Sequence, residues 1–319
     1  MLVTERPGRL RLVSEDGAIS KPLTGVPEVF AQGHGGLLDV AIDPDFKSNR
    51  LVYLSYAEPG EGGASTAVAR GKLGESGLDD VELIFRQVPK INSNLHFGSR
   101  LAFAPDGTLF ITLGERFQFT PAQDLSNLFG KIVRINPDGT VPKDNPFVGR
   151  KDARPEIWSY GHRNSEGAAI HPETGKLWEN EFGPKGGDEL NIPQAGKNYG
   201  WPVVSWGEHY DGRKIPEPPT HPEFADAIYH WNPVISPSGM TFYTAAAIPA
   251  WRCNLLIGGL SSQAIVRLTL DGETVEAEDR IPMAARIRDV VQAPDGSVYA
   301  LTDEGDGRIL RLTLENSPK

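Results

Sequence analysis

RLAFAPDGTLFITLGE, residues Arg100–Glu115, is the stretch on which the fold turns. An apolar strand runs into Pro-Asp-Gly and a second apolar strand leaves it. Proline presets φ and Asp-Gly turns the chain, so the segment reads as a β-hairpin. A third strand, GKIVRINPDG from Gly130, follows it. Working outward, the same unit recurs along the chain. Its leading strand and turn return as LLDVAIDPD (Leu37–Asp45), GAAIHPETG (Gly167–Gly175) and DVVQAPDG (Asp289–Gly296). Its middle strand returns at Leu2 (LVTE), Leu51 (LVYLSY), Leu177 (LWENEFG), Leu255 (LLIGGL) and Val298 (VYALTDE). Its last strand returns at Gly8 (GRLRLVSEDG), Ser65 (STAVARGKL), Asp188 (DELNIPQAG), Gln263 (QAIVRLTLDG) and Gly307 (GRILRLTLEN). Three of these last strands share one apolar-apolar-Arg-apolar core: Ile132–Ile135, Ile265–Leu268 and Ile309–Leu312.

Six meanders at intervals of 43 to 78 residues predict an all-β fold, a six-bladed β-propeller built as one domain over residues 1–319. A two-sheet sandwich would need fewer, unrepeated strands. Nothing precedes Leu2 to form a leading strand for the first copy. Either the chain as read starts late, or the ring closes with an N-terminally incomplete first blade. DLSNLFG (Asp124–Gly130) is expected to make a short turn of helix, and IPEPPTHP (Ile215–Pro222) a long loop between blades.

Composition narrows the function. The 319 residues carry 32 Lys and Arg against 42 Asp and Glu, a net charge of −10. A phosphate-binding surface needs the opposite sign, so no nucleic-acid or anionic-membrane partner is expected. No apolar run is long enough for a membrane span. The start, MLVTERPGRL, has no apolar stretch of the signal-peptide kind. Gly 35 and Pro 26 fit a chain of many turns. The single Cys253 excludes an internal disulfide and a cysteine metal cluster.

A propeller is a scaffold, so function must be read from its loops. The chemically capable residues collect between the repeats: His34 in QGHGG, His96 in NSNLHFGSR, Arg163 and Asn164 in GHRNSEG, the segment EFGPKGGDE (Glu181–Glu189), Tyr199 in KNYGWP, Trp231 in HWNPVISPSG, and Arg286 and Arg288 in ARIRD. A neutral His96 could act as a general base. The alternative is a loop histidine bonded to a backbone carbonyl. Arg163 offers a permanent charge for a carboxylate or a developing oxyanion; an inter-blade ion pair is the plainer reading. Arg286 and Arg288 would share one face of a strand, either to neutralise Asp289 or to receive a polycarboxylate. Gly and Pro carbonyls beside Asp188 and Glu189 suit Ca²⁺ better than Zn²⁺, although an ordinary acidic turn has the same composition. Nucleophilic-serine, P-loop, zinc-protease and dinucleotide motifs are all missing. Redox chemistry here would need a cofactor other than a nicotinamide bound in a Rossmann fold.

Taken in order, GHGGLLDVAIDPDF (Gly33–Phe46), HFGSRLAFAPDGTLFITLGE (His96–Glu115), LFGKIVRINPDGTVPKDNPF (Leu128–Phe147), GHRNSEG (Gly161–Gly167), EFGPKGGDELN (Glu181–Asn191), NYGWP (Asn198–Pro202) and RIRDV (Arg286–Val290) resemble the soluble quinoprotein sugar dehydrogenases, in particular the PQQ-dependent aldose sugar dehydrogenases. The resemblance spans nearly the whole chain and rests on the combination. It implies oxidation of an aldose at C1 to a lactone, with electrons passed to an external acceptor. His96 would take the anomeric hydroxyl proton while hydride passes to the quinone, and Arg163 would stabilise the charge developing there. His34, Asn164, Arg286, Arg288 and Trp231 would contact PQQ. The carbonyls of Gly183 and Pro184 would hold the calcium that polarises the cofactor; Glu189 and the Tyr199 carbonyl would hold a second one. A periplasmic or secreted location is implied as well.

Two departures stand out. The glucose dehydrogenase branch has an acidic residue before the histidine; here Leu95 stands there, so the base must be oriented from elsewhere. That branch also offers PQQ a lysine from the segment that reads GLSSQAI here (Gly259–Ile265). Two other functions fit a propeller: a calcium-dependent lactonase-type hydrolase and a non-enzymatic protein-binding propeller. The first would need side-chain metal ligands in the channel. The second leaves His96, Arg163 and the terminal arginines unexplained.

Overall fold

The computed structural model describes residues 1–313. The chain divides into two compact units, Met1–Ser165 with Gln194–Pro202, and Glu166–Pro193 with Val203 onward. The first unit holds a two-stranded sheet, β1 (Leu2–Glu5) and β2 (Arg9–Leu12), and two four-stranded sheets. These are β3 (Leu37–Ile42), β4 (Leu51–Gly60), β5 (Gly63–Leu73) and β6 (Leu78–Arg86), then β7 (Gly98–Phe103), β8 (Leu109–Leu113), β9 (Lys131–Ile135) and β10 (Ile157–Tyr160). The second unit takes the next sheet, β11 (Ser165–Ile170, its first residue excepted), β12 (Leu177–Glu181), β13 (Asp188–Asn191) and β14 (Tyr229–Trp231). It continues with β15 (Pro237–Phe242), β16 (Leu255–Gly259), β17 (Ala264–Asp271) and β18 (Thr274–Pro282), and with a three-stranded sheet, β19 (Ile287–Gln292), β20 (Val298–Thr302) and β21 (Ile309–Leu312).

In every sheet the order of strands in space follows their order in the chain. Such meanders are propeller blades, and the fold is an all-β propeller. Among the described residues five sheets reach blade size, not the six expected; the first repeat forms only the β1–β2 hairpin. The end of the sixth copy, Leu314–Asn316, lies outside the described residues. Asp124–Gly130 forms turns and no helix; the helical turn there is the preceding 3-10 segment, Thr120–Gln123. In Asp124–Gly130 the Asp124 and Asn127 side chains accept the Ser126 and Phe129 N–H groups at 2.9 and 2.8 Å, local bonds that make turns in place of a helix. The fourth strands β6, β14 and β18 escape a sequence reading because their side chains are largely solvated or their runs too short. β6 (LDDVELIFR) and β18 (TVEAEDRIP) are mostly exposed.

Inner strands are buried on both faces, and the two-residue period of a strand decides which neighbour each side chain meets. Within the first unit, Val52 and Leu54 of β4 pack with Leu10, Leu37 and Ala67, whereas Tyr53 between them packs with Val68, Leu101, Ile111 and Val133. In the second unit, Leu255 and Ile257 of β16 join Trp178, Leu190 and Met240, and Leu256 joins Tyr243, Ile287 and Val298. Sheets therefore stack face to face, and both faces of β4 and β16 become core.

The Pro-Asp-Gly turns are chemically identical. Asp106 Oδ1 accepts the Thr108 N–H and hydroxyl at 2.9 and 2.7 Å; Asp138 does the same for Thr140 at 3.0 and 2.6 Å, and Asp295 for Ser297 at 2.9 and 2.6 Å. Each glycine is left-handed, with φ of 84° at Gly107 and 83° at Gly296. An added Cβ at Gly107 meets nothing within 4 Å, whereas at Gly296 it meets the Ala245 and Ala247 Cβ atoms at 2.8 and 2.9 Å. We expect Gly107→Ala to cost only the ~1–2 kcal/mol of a left-handed L-residue. Gly296→Ala should cost clearly more in the same urea titration; equal costs would show that the turn conformation alone matters.

Candidate active site

His96 and Glu115 meet because their strands do. β7 pairs with β8, with Gly98 opposite Leu113. Two residues beyond that pair the chains carry His96 and Glu115. The two chains approach closely here: a Cβ on Gly114 would lie 2.0 Å from the His96 carbonyl oxygen and 2.7 Å from Asn164 Oδ1. Only glycine allows this approach. His96 itself sits at φ 50°, a left-handed conformation that L-residues hold at a cost.

The pair is buried and directed. His96 Nδ1 lies 2.6 Å from Glu115 Oε1, and the Glu115 side chain has no exposed surface. Its other oxygen accepts the N–H of Gln118 at 2.5 Å and of Phe119 at 3.0 Å. A carboxylate can only accept, so Nδ1 carries the proton and Nε2 keeps the lone pair. Nε2 makes no protein hydrogen bond among the described residues. Burial pushes the His96 imidazole below its ordinary value, the Arg163 charge adds to this, and the Glu115 hydrogen bond opposes it. The result is a neutral imidazole near pH 7. The acid that orients it comes from nineteen residues downstream, where the resembled branch would have one at Leu95.

Other expected residues join this group. The His34 ring stacks on His96 with centroids 5.9 Å apart, and its Nδ1 accepts the His96 N–H at 3.3 Å. Asn164 Oδ1 accepts the Gly98 N–H at 3.1 Å, and the Arg163 carbonyl accepts the Glu115 N–H at 2.9 Å. The Arg163 guanidinium lies 5.2 Å over the Trp201 ring. Phe117 sets its edge against His96, and Phe119 links Phe117 to Trp201. His34, His96, Arg163 and Asn164 thus share one site within the first unit. Tyr199, also in this unit, stacks on His162 at 4.8 Å and takes the Gln194 N–H on its hydroxyl.

The second unit holds two further groups. Asp188 Oδ1 accepts the Gly183 N–H at 2.9 Å, and Oδ2 accepts those of Ile235 and Ser236 at 2.9 and 2.7 Å. This fixes the loop that carries Gly183 and Pro184. Glu189 gathers with Glu179 and Glu181 on the Asn191 side-chain amide, at 3.4, 2.9 and 3.3 Å. Burial, and then the Glu181 and Glu179 carboxylates, raise Glu189 well above the ordinary range. Crowded oxygen donors that repel one another fit a hard divalent cation.

The other group is at Arg286 and Arg288. Both donate to Asp303, at 3.0 to 3.1 Å from Arg286 and 2.9 Å from Arg288, and Arg288 also reaches Glu166 at 3.2 Å. The carboxylate that both share is Asp303, 17 residues beyond Arg286 and 15 beyond Arg288. Burial would raise Asp303, but Arg288 and Arg286 outweigh it and hold the carboxyl below the ordinary range. The arginines stay partly exposed, two forks suited to further carboxylates. Trp231 is only 3% exposed; its indole N–H donates to Glu278 at 2.8 Å, and the ring packs in the core.

Replacing Glu115 by Gln tests the orientation. The amide carbonyl can keep the Gln118 and Phe119 N–H bonds, but its NH2 then faces Nδ1 as a donor. The ring proton should move to Nε2, read from the ring nitrogens by NMR. A proton that stays on Nδ1 contradicts the assignment.

Comparison with known proteins places the whole of this arrangement in a family. The Glucose / Sorbosone dehydrogenase family model matches residues 1–311. The chain is 46% identical over 323 residues to the aldose sugar dehydrogenase YliI of Escherichia coli, covering 99% of this chain and 87% of that one. A crystal structure of a glucose dehydrogenase superposes with TM-score 0.96 at 50% identity, covering 98% and 93% of the two chains. The PQQ-bound form of an aldose sugar dehydrogenase from Streptomyces coelicolor superposes with TM-score 0.80 at 29% identity, covering 97% and 89%. With the family model matched over residues 1–311 and 46% identity to a relative across 99% of this chain, the chain belongs to the glucose/sorbosone dehydrogenase family.

Proposed function

We propose that this protein oxidises aldose sugars at C1 to lactones with PQQ as cofactor, and passes the electrons to an external acceptor. The observation that carries the reading is the buried His96–Glu115 pair with the Arg163 charge beside it. Bound PQQ would supply the two-electron quinone that accepts hydride. The chain's own part is acid–base and electrostatic. His96 Nε2 takes the proton of the sugar's anomeric hydroxyl, and Glu115 holds the imidazolium that results. Arg163 stabilises negative charge developing next to it.

His34 and Asn164 line the same site, and Arg286 and Arg288 bind carboxylates of the cofactor; Trp231 packs in the core of the second unit. The carbonyls of Gly183 and Pro184, in the loop held by Asp188, serve one Ca²⁺, and Glu189 and the Tyr199 carbonyl serve another. We further propose that residues 1–319 form one six-bladed propeller domain with an incomplete first blade, an arrangement supported by the six sequence repeats, and that the protein works in the periplasm or outside the cell, as the family resemblance implies. No nucleic-acid partner is proposed. No helix among the described residues is long and apolar enough to cross a membrane.

The test is reconstitution: add PQQ and Ca²⁺ to purified protein, supply glucose and a redox dye, and follow bleaching. Activity should require both additions and vanish in His96→Ala. Arg163→Ala should lose roughly 10²–10³ in kcat, the usual loss for one charge-stabilising donor. Glu115→Gln should lose roughly 10²–10⁴, as for a general base held in the wrong tautomer. Lactone hydrolysis without PQQ would replace this function with a hydrolase. Because burial lowers the His96 pKa, the base form is lost only as pH falls below the ordinary histidine value of about 6.5. An acid limb of kcat/KM above that value would remove His96 from the role.

A further inference from the structure

The loop between β8 and β9 carries Glu115, Phe117 and Phe119, and each end of it bears a fully buried basic side chain. Arg116 at the start and Lys131 just past the end are both 0% exposed. Neither has a carboxylate within ion-pair distance among the described residues. They bond to backbone carbonyls instead. Arg116 Nε donates to Leu95 O at 2.8 Å, Nη1 to Ala64 O at 2.7 Å and Nη2 to Ser93 O, while the guanidinium lies 3.6 Å over the Phe97 ring. Leu95 and Phe97 flank His96. Lys131 Nζ donates to Phe129 O at 2.6 Å, Ala122 O at 2.9 Å and Pro121 O at 3.1 Å. The Ala122 carbonyl also accepts the Gly161 N–H at 3.1 Å, which ties in the turn that bears Arg163.

Burying a basic group away from acids is unfavourable unless its donors are matched. Six carbonyls match them here, so the cost is met by a fixed loop shape. Burial lowers the Arg116 guanidine to about 10 and the Lys131 amine to about 7, with Glu115 and Asp124 opposing these shifts. The lysine therefore keeps two or three N–H donors near neutral pH, and hydrogen bonding is what fastens the loop. Gln87 adds a neutral bridge, donating to Gly114 O and Leu128 O at 3.0 Å each. Left-handed backbone at Arg116, Phe117 and Phe119 marks the loop as strained, a shape that persists only when its surroundings over-determine it.

We propose that Arg116 and Lys131 are positioning residues: by clamping both ends of the Gly114–Gly130 loop to backbone carbonyls, they hold Glu115 on His96 before any ligand binds. Replacement of Lys131 by Met is expected to fold, because Pro121 O and Ala122 O keep their bonds from the Asp124 and Gly161 amides. In Lys131→Met and Arg116→Lys, the amides of Gln118, Phe119 and Ala122 should exchange hydrogen roughly tenfold faster, the loss of about one net hydrogen bond. The His96 Nδ1–H resonance should broaden or vanish, and Lys131→Gln should restore part of it. kcat should fall by up to about 10²-fold with little change in KM, as for a misplaced catalytic group.

Folded variants with wild-type exchange and an intact Nδ1–H resonance would overturn the proposal. Should both variants fail to fold, the wild type decides alone. Its three loop amides must exchange far more slowly than the amide of Gly107 in the open turn, and equal rates would overturn it. The kinetic consequence rests on the dehydrogenase reading, whereas the exchange and resonance measurements do not. A wild type with no PQQ-dependent activity but the expected resonance and exchange would refute that function and leave the loop inference standing.

Discussion

One carboxylate organises the site. Glu115 is wholly buried and accepts from His96 on one oxygen and from two loop amides on the other. A charge in that position is tolerable only with all its acceptors used. The demand runs both ways. The loop must return its Gln118 and Phe119 amides to the carboxylate, and the imidazole must present Nδ1–H to it. Once these bonds are made, the tautomer and orientation of His96 follow, and Nε2 is left as the basic atom. The close approach at Gly114 and the strained backbone at His96 are consequences of the same geometry.

The architecture supplies the rigidity that this arrangement needs. Both faces of β4 and β16 are core, because a strand's alternating side chains are shared between neighbouring sheets. β8 is buried along its whole length. A loop that leaves such a strand starts from a fixed point, which is why functional groups of propellers can sit on irregular backbone without being loose. The remaining freedom of the β8–β9 loop is taken up by donors that reach back to carbonyls. Arginine and lysine suit this work because their long apolar stems can be buried while several N–H groups are delivered at the tip.

In the second unit, electrostatics is arranged by opposite means. Arg286 and Arg288 are brought together by a shared acid, Asp303, yet remain partly exposed. Glu179, Glu181 and Glu189 are brought together by a neutral amide and stay in mutual repulsion. One group offers donors to an anion and the other offers oxygens to a cation.

Much of this was legible in the residues. The Pro-Asp-Gly turns announce themselves because proline, an aspartate that bonds two residues ahead, and a left-handed glycine act locally. They set the repeat, the meander and the propeller, and the loop positions of His34, His96, Arg163 and Asn164 followed. The solvated fourth strands left no comparable mark, since partnership with a neighbour makes them strands. Glu115 stood in the very stretch that decided the fold and still went unassigned. Counting back from the Asp106–Gly107 turn, with Phe103 opposite Leu109, sets His96 against Arg116. A register shift between Leu101 and Gly98 brings Glu115 there instead. Such a bulge is settled by pairing and packing across two strands, and a one-residue slip exchanges the faces of every side chain beyond it. The sequence by itself thus determined the blades and the cast of reactive side chains, through short-range turn chemistry. Only the tertiary structure decided which acid meets the histidine, because that choice depends on register and burial between segments distant in the chain.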